Sequence, residues 1–247
     1  MKNILLVTVA VLLLSCTSEQ TKNTIESEFR RAPIDNAYNV AFLIMDGVYN
    51  TELTAPFDIF QHTIFRESIK PMNTFLVANT LEPIVSFEGI RILPDYDYTT
   101  SNLPDIDILV VPSAAHHLDS DLEDETMINW VRKVSGKAMY VTSHCDGAFV
   151  LAKAGILDNY VSTTFPSDID AYKEMFPQLD VRDSTLFVHH DKFITSAGGA
   201  KSFEASLYLT ELLYGKEIAK RLAKGLVIDW DLEEVSHVVI STDDALE

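Results

Sequence analysis

The chain has only two cysteines in 247 residues, Cys16 and Cys145, too few for a disulfide framework. Basic residues are scarce as well: 19 Lys and Arg stand against 37 Asp and Glu, giving a net charge of −18. That balance excludes partners held by positive charge, nucleic acid and anionic membrane surfaces among them. There is no glycine-rich phosphate loop and no dinucleotide fingerprint, so no motif asks for a nucleotide cofactor, and none is expected. Nor is there a Cys/His/Asp set at ligand spacing. The adjacent pairs His116-His117 and His189-His190 do not supply one, because successive side chains on a strand point to opposite faces, and no metal is expected. Internal repeats and low-complexity tracts are absent.

The apolar run Ile4 to Leu14 follows the positive Met1-Lys-Asn and is too short for a comfortable membrane span. It ends in Leu13-Leu-Ser-Cys16, which resembles a bacterial lipobox. Residues 1–15 are therefore expected to be a lipoprotein signal peptide, with Cys16 lipidated and residues 16–37 a flexible tether to the domain. The competing readings, an uncleaved anchor or ordinary signal cleavage, leave the Cys after a small residue unexplained. The expected location is the bacterial cell envelope, attached through the lipid alone; Thr17, where an aspartate would signal retention, resembles the outer-membrane pattern. A lipidated Cys16 leaves Cys145 without an intramolecular partner in an oxidising compartment, where a free thiol is a liability unless buried or used.

The domain is expected over residues 38–230, with 231–247 an acidic C-terminal extension. Asn39 to Met45, Asn73 to Ala78, Ile106 to Pro112 and Lys137 to Thr142 are apolar runs of strand length. Ile84 to Phe87 and Ile90 to Leu93 read as a hairpin, and short strands follow near Ser162, Leu186 and Phe193. Helical patterns cover Thr51 to Ile64, Leu122 to Val134, Asp168 to Phe176, Ala200 to Tyr214 and Lys216 to Gly225. Strands alternating with helices imply an α/β fold, a doubly wound, mostly parallel sheet flanked by helices. Ligands bind such sheets at the carboxyl ends of the strands, where Asp46, Pro112 to His117, Cys145 and Ser196 to Gly199 all fall.

Cys145 stands where a buried strand runs into a helix. Unpaired N–H groups and the helix dipole there favour a thiolate, and Gly147 and Ala148 let the helix pack close. The plainer reading is a buried structural cysteine. Glu52, just past the loop leaving the first strand, can reach the same mouth, where a nearby thiolate would keep it protonated and able to donate; otherwise it is an acidic residue favoured by a helix N-terminus. The amide of Asp146 and the loop Ser113-Ala-Ala-His-His117 can supply an oxyanion hole, through Ala114 and Ala115. His116, His117, His144, His189 and His190 are the available bases, His144 being next to the thiol.

Four segments carry a resemblance: Asp46 to Phe60, Asp107 to Pro112, Ser143 to Asp158 and Ile194 to Gly199. From about Asn39 to Gly225 the chain resembles the ThiJ/PfpI family of the class I glutamine amidotransferase-like superfamily. It looks closest to the branch of isonitrile hydratases and AraC-type regulator sensor domains. The resemblance implies a flavodoxin-like fold with a nucleophile elbow, Cys145 as nucleophile, Glu52 as the acid contacting it, and a homodimer. Three positions depart from the pattern. Thr163-Thr164-Phe165 lacks the usual final histidine, Pro112-Ser-Ala replaces Pro-Gly-Gly, and Asp146 stands where the hydratases often have Thr. The expected function is a cysteine-dependent hydratase or hydrolase acting on a small electrophile: an isonitrile, an α-oxoaldehyde or an amide-like group. The alternatives are a small-molecule binding or sensing module and a cysteine redox sensor. No helix-turn-helix follows Gly225, which argues against a DNA-binding regulator.

Overall fold

The computed structural model describes residues 32–100 and 102–240. The expected signal peptide, Cys16, most of the tether and the last seven residues lie outside the described residues. Twelve strands run in chain order as β1 (Tyr38–Leu43), β2 (Met72–Ala78), β3 (Ile84–Val85), β4 (Arg91–Ile92), β5 (Tyr96–Asp97), β6 (Ile108–Val111), β7 (Tyr140–His144), β8 (Val161–Ser162), β9 (Asp180–Val181), β10 (Phe187–His190), β11 (Phe193–Ser196) and β12 (His237–Ile240). The α-helices are α1 (Asn50–Gln61), α2 (Glu125–Ser135), α3 (Gly147–Lys153), α4 (Ile169–Met175), α5 (Ser202–Tyr214) and α6 (Lys216–Gly225). Eight strands form one sheet in the order β12-β10-β11-β7-β6-β1-β2-β5, in which only the β10–β11 pair is antiparallel. The expected doubly wound, mostly parallel sheet is thus the observed one, and β3 and β4 form the expected hairpin.

The central strands β6 and β7 are buried along nearly their whole length, as the continuous apolar runs require of strands covered on both faces. One core lies between the sheet and the layer of α2, α3 and α4, built on Leu109, Val141, Phe149 and Tyr172. The other lies beneath α1, α5 and α6, built on Phe42, Phe60, Val110 and Leu209. Helix α2 starts where Asp124 accepts the N–H groups of Thr126 at 2.9 Å and Met127 at 3.1 Å, an N-cap that satisfies two orphan donors. Helix α3 is apolar nearly all round and buried, as suits a helix wedged into the core behind the elbow.

One boundary is corrected. Residues 231–240, expected in an acidic extension, carry β12, which pairs in parallel with β10 from His237↔Phe187 to Ile240↔His190. Four residues with one partner strand give too short a pattern to stand out beside the acids around them. The small strands β5 and β9 were hidden for the same reason.

Candidate active site

The carboxyl ends of β1, β6, β7 and β11 meet at Cys145. Its φ of +53° lies in the left-handed region, which costs a side-chain-bearing residue about 1–3 kcal/mol and persists only where neighbours hold it. They do so closely. The Cys145 N–H donates to the Ser196 carbonyl at 2.9 Å, and its carbonyl accepts the Thr164 hydroxyl at 3.1 Å. Two glycines make the approach feasible: a Cβ on Gly147 would lie 2.0 Å from the Val111 carbonyl oxygen, and one on Gly198 would lie 2.3 Å from the Cys145 Cβ. No other residue fits either place.

The thiol is buried, 6% exposed, between two carboxyl groups. Glu52, in the first turn of α1 and 5% exposed, accepts the Ser113 N–H on Oε2 at 3.3 Å and the Gly199 N–H on Oε1 at 3.0 Å. One side chain therefore ties together the loops after β1, β6 and β11. Burial raises its pKa, opposed by hydrogen bonds from the Gly199 N–H, Cys145 and the Ser113 N–H. Asp146, 8% exposed, accepts the thiol on Oδ2 at 3.6 Å and the Thr164 hydroxyl on Oδ1 at 3.1 Å. Burial and then repulsion from Asp168 push its carboxyl up to about 7, against the hydrogen bonds of Thr164 and Cys145.

These surroundings reverse the sequence expectation of a resting thiolate. Burial, and after it the charges of Glu52 and Asp146, push the Cys145 thiol well above its ordinary value; the Ser113 hydroxyl and the Asp146 N–H oppose them. A helix terminus contributes about 0.3–1 kcal/mol, whereas desolvation and like charges move a pKa by whole units. The resting group is a thiol. The Ser113 hydroxyl faces it but is buried without a hydrogen bond of ordinary geometry, so it is an uncommitted donor at the sulfur.

The oxyanion expectation needs correction in two of its three members. The Ala114 N–H donates to His117 Nδ1 at 3.2 Å and the Ala115 N–H donates to the Gly47 carbonyl at 3.0 Å, because a Val48↔Ala114 bridge draws this loop onto the one after β1. Asp146 keeps its amide directed at the sulfur.

Among the described residues no histidine is hydrogen-bonded to Cys145. His144 is buried with Nδ1 3.0 Å from the Ser196 hydroxyl, and burial lowers its pKa to about 3. His117 is buried with Nε2 facing the Met45 sulfur at 3.3 Å; burial lowers it to about 3, opposed by the Asp146 backbone. His116 pairs with Asp119 on the surface, His189 bonds the Tyr208 hydroxyl, and His190 accepts the Val161 N–H. His144 is therefore not placed as the base. No group of three potential ligands is positioned for a metal among the described residues.

Tyr49 is the site residue that sequence reasoning passed over. Its ring stacks on the exposed Phe87 at 4.6 Å, and burial, followed by the charges of Cys145, Glu52, Asp146 and Glu88, raises its phenol. Its place at the head of the Asp46 to Phe60 segment was the available signal. Thr164 also borders a cavity of about 410 Å³ lined by Thr163, Pro166, Ile169 and Leu186. Cys145 and Glu52 do not line it.

An α/β sheet with a cysteine elbow facing a buried glutamate defines a class of thiol-bearing domain, and comparison with known families agrees. Residues 38–212 match the DJ-1/PfpI family, and the chain belongs to it. It is 29% identical over 192 residues to an isonitrile hydratase of Pseudomonas putida, covering 74% of this chain and 75% of that enzyme. It is 33% identical over 102 residues to the HTH-type transcriptional regulator CdhR of Pseudomonas aeruginosa, covering 41% of this chain and 30% of the regulator. A crystal structure of a THiJ/PfpI family protein from Pseudomonas syringae superimposes with a TM-score of 0.69 at 23% identity, covering 83% of this chain and 80% of that one.

Proposed function

We propose that the protein is a cysteine-dependent hydratase or hydrolase acting on a small, uncharged electrophile, with an isonitrile the foremost substrate class. The observation that carries this reading is the Cys145 thiol held on a left-handed elbow between the carboxyls of Glu52 and Asp146. The likeness to isonitrile hydratase over three quarters of both chains supports it. Charge sets the substrate class: Glu52, Asp146 and the Tyr49 phenol face the thiol, Glu88 lies by Tyr49 and Glu52, and both nearby histidines are neutral, so among the described residues an anion meets no countercharge at the thiol.

The sulfur bonds to the terminal isonitrile carbon while Glu52, whose pKa burial raises, serves as the acid that gives that carbon a proton, producing a thioimidate. Water then adds to the same carbon, the C–S bond breaks, and an N-substituted formamide leaves with the thiol restored. The sum is isonitrile plus water. The Asp146 amide and Ser113 hydroxyl face the sulfur, placed to hold the anion that departs.

A second reading, binding without turnover, is favoured by the match to CdhR. A panel of small isonitriles, methylglyoxal and small amides, assayed with wild type and Cys145→Ala, separates the two. Product from wild type alone supports the enzyme; no product, with a panel ligand raising the Tm of wild type and Cys145→Ser alike, replaces it with the binding module.

We further propose an envelope lipoprotein, on the Leu13 to Cys16 pattern, and a homodimer, on the family resemblance. Metabolic labelling with a fatty-acid analogue, lost in Cys16→Ser, tests the first; sedimentation tests the second.

A further inference from the structure

We propose that Asp146 is a catalytic residue of this site, the acceptor that takes the thiol proton of Cys145 as the sulfur attacks. The proposal rests on the reading of Cys145 as the nucleophile and assigns a role the Glu52 contact leaves open.

Three observations carry it. First, the Cys145 thiol donates to Asp146 Oδ2 at 3.6 Å, so an acceptor for its proton is already in place. Second, the carboxyl is held in place to receive it, since Thr164 Oγ1 lies 3.1 Å from Asp146 Oδ1 and 3.1 Å from the Cys145 carbonyl, fixing acid and nucleophile to one anchor. Third, the other candidates already hold partners of their own, Glu52 two backbone donors besides the thiol. Each Glu52 oxygen receives a backbone N–H, from Ser113 or Gly199, and the rings of His144 and His117 are bonded to Ser196 and Ala114.

Among the described residues no histidine is hydrogen-bonded to the thiol, whereas a carboxyl is. The groups facing Asp146 are Cys145 beside it, Glu52 from α1, Asp168 from the turn before α4, Thr164, the buried neutral His117 and the Tyr49 phenol. Its raised pKa places the switch from spent acid to competent base near neutral pH.

The step balances. Sulfur keeps the S–H electron pair and uses it to form the C–S bond, the proton moves to Oδ2 of the Asp146 carboxylate, and Glu52 supplies the separate proton that the isonitrile carbon takes. In the second half Asp146 returns its proton to the substrate nitrogen and Glu52 is reprotonated from water.

Iodoacetamide tests the first half without any substrate: a C–S bond forms, iodide leaves, and the thiol proton goes to the base. The rate of Cys145 modification is followed by mass spectrometry from pH 5 to 9 on the folded protein. Wild type is expected to gain tenfold per unit below neutral pH and to level off above it. Asp146→Asn, which still accepts from Thr164, is expected to lose that inflection, and Asp146→Glu to retain one. Thr164→Val removes a donor that stabilises the carboxylate and is expected to move the inflection to higher pH. A profile unchanged in Asp146→Asn overturns the proposal, as does an inflection lost in Glu52→Gln but kept in Asp146→Asn. Should Asp146→Asn fail to fold, an inflection unmoved in Thr164→Val overturns it. No modification of Cys145 at any pH overturns the nucleophile reading, and this proposal with it.

Discussion

Cys145 and Asp146 are neighbours in sequence and hydrogen-bonded through their side chains, Sγ to Oδ2 at 3.6 Å. Successive side chains on a strand diverge, so such a pair cannot form there. The left-handed φ of +53° at Cys145 turns the chain and brings the acid back over the thiol. Strain at the elbow is what assembles the site.

Because burial and two carboxyls hold Cys145 as a thiol, it should react sluggishly at rest. At pH 7 we expect iodoacetamide to modify folded protein more slowly than the same cysteine in urea. A folded rate above the denatured rate contradicts the protonated resting state.

Glu52 accepts one backbone N–H on each oxygen, and a glutamine can accept on only one. Glu52→Gln therefore turns an NH₂ group toward the Ser113 or the Gly199 donor. An unmatched buried donor costs about 1–3 kcal/mol. Urea unfolding should show a loss of that size; an unchanged midpoint argues against the paired contacts.

Gly147 rests against the backbone of β6, where a methyl group would lie 2.0 Å from the Val111 carbonyl oxygen. Backbone cannot step aside as a side chain can. Gly147→Ala is expected to cost more than about 3 kcal/mol or to prevent folding, whereas Gly136→Ala, whose nearest neighbour would be 3.5 Å away, should be tolerated. Comparable Tm values for the two variants contradict this packing.

Two pH effects of opposite sign follow from the buried groups. His117 and His144 are lowered to about 3, so an unfolded chain takes up protons below about pH 6.5 that the fold refuses, and stability falls as pH drops through that window. Asp146 is raised to about 7, so the unfolded chain sheds a proton that the fold retains, and this contribution falls as pH rises from about 4 to 7. Variants separate them: His144→Gln should lose less Tm than wild type between pH 7 and 5, and Asp146→Asn should gain on wild type between pH 5 and 8. Parallel curves for all three proteins contradict the assignment.

The sheet and elbow were legible because they rest on patterns local in sequence. Apolar runs such as Ile108–Val111 mark buried strands, and Gly147 after Cys145 marks a helix packed hard on its neighbour. What escaped depends on tertiary surroundings. Desolvation of the thiol cannot be seen from a helix start, so the dipole there points to the wrong sign of shift. The amides of Ala114 and Ala115 read as free donors until the Val48↔Ala114 bridge consumed them. The Asp146 side-chain contact was hidden because it depends on the left-handed φ at Cys145, which no residue pattern announces, and β12 because four residues carry little periodicity.

Whether Cys145 bonds to substrate carbon decides the mechanism. Wild type mixed with a small alkyl isonitrile and quenched within milliseconds should show, by intact and peptide mass, a gain of one isonitrile on Cys145 that decays as the formamide appears. Cys145→Ala should show neither. Formamide formed at the wild-type rate by Cys145→Ala, or turnover by wild type with no adduct on that residue at any time, would contradict a covalent role for this thiol.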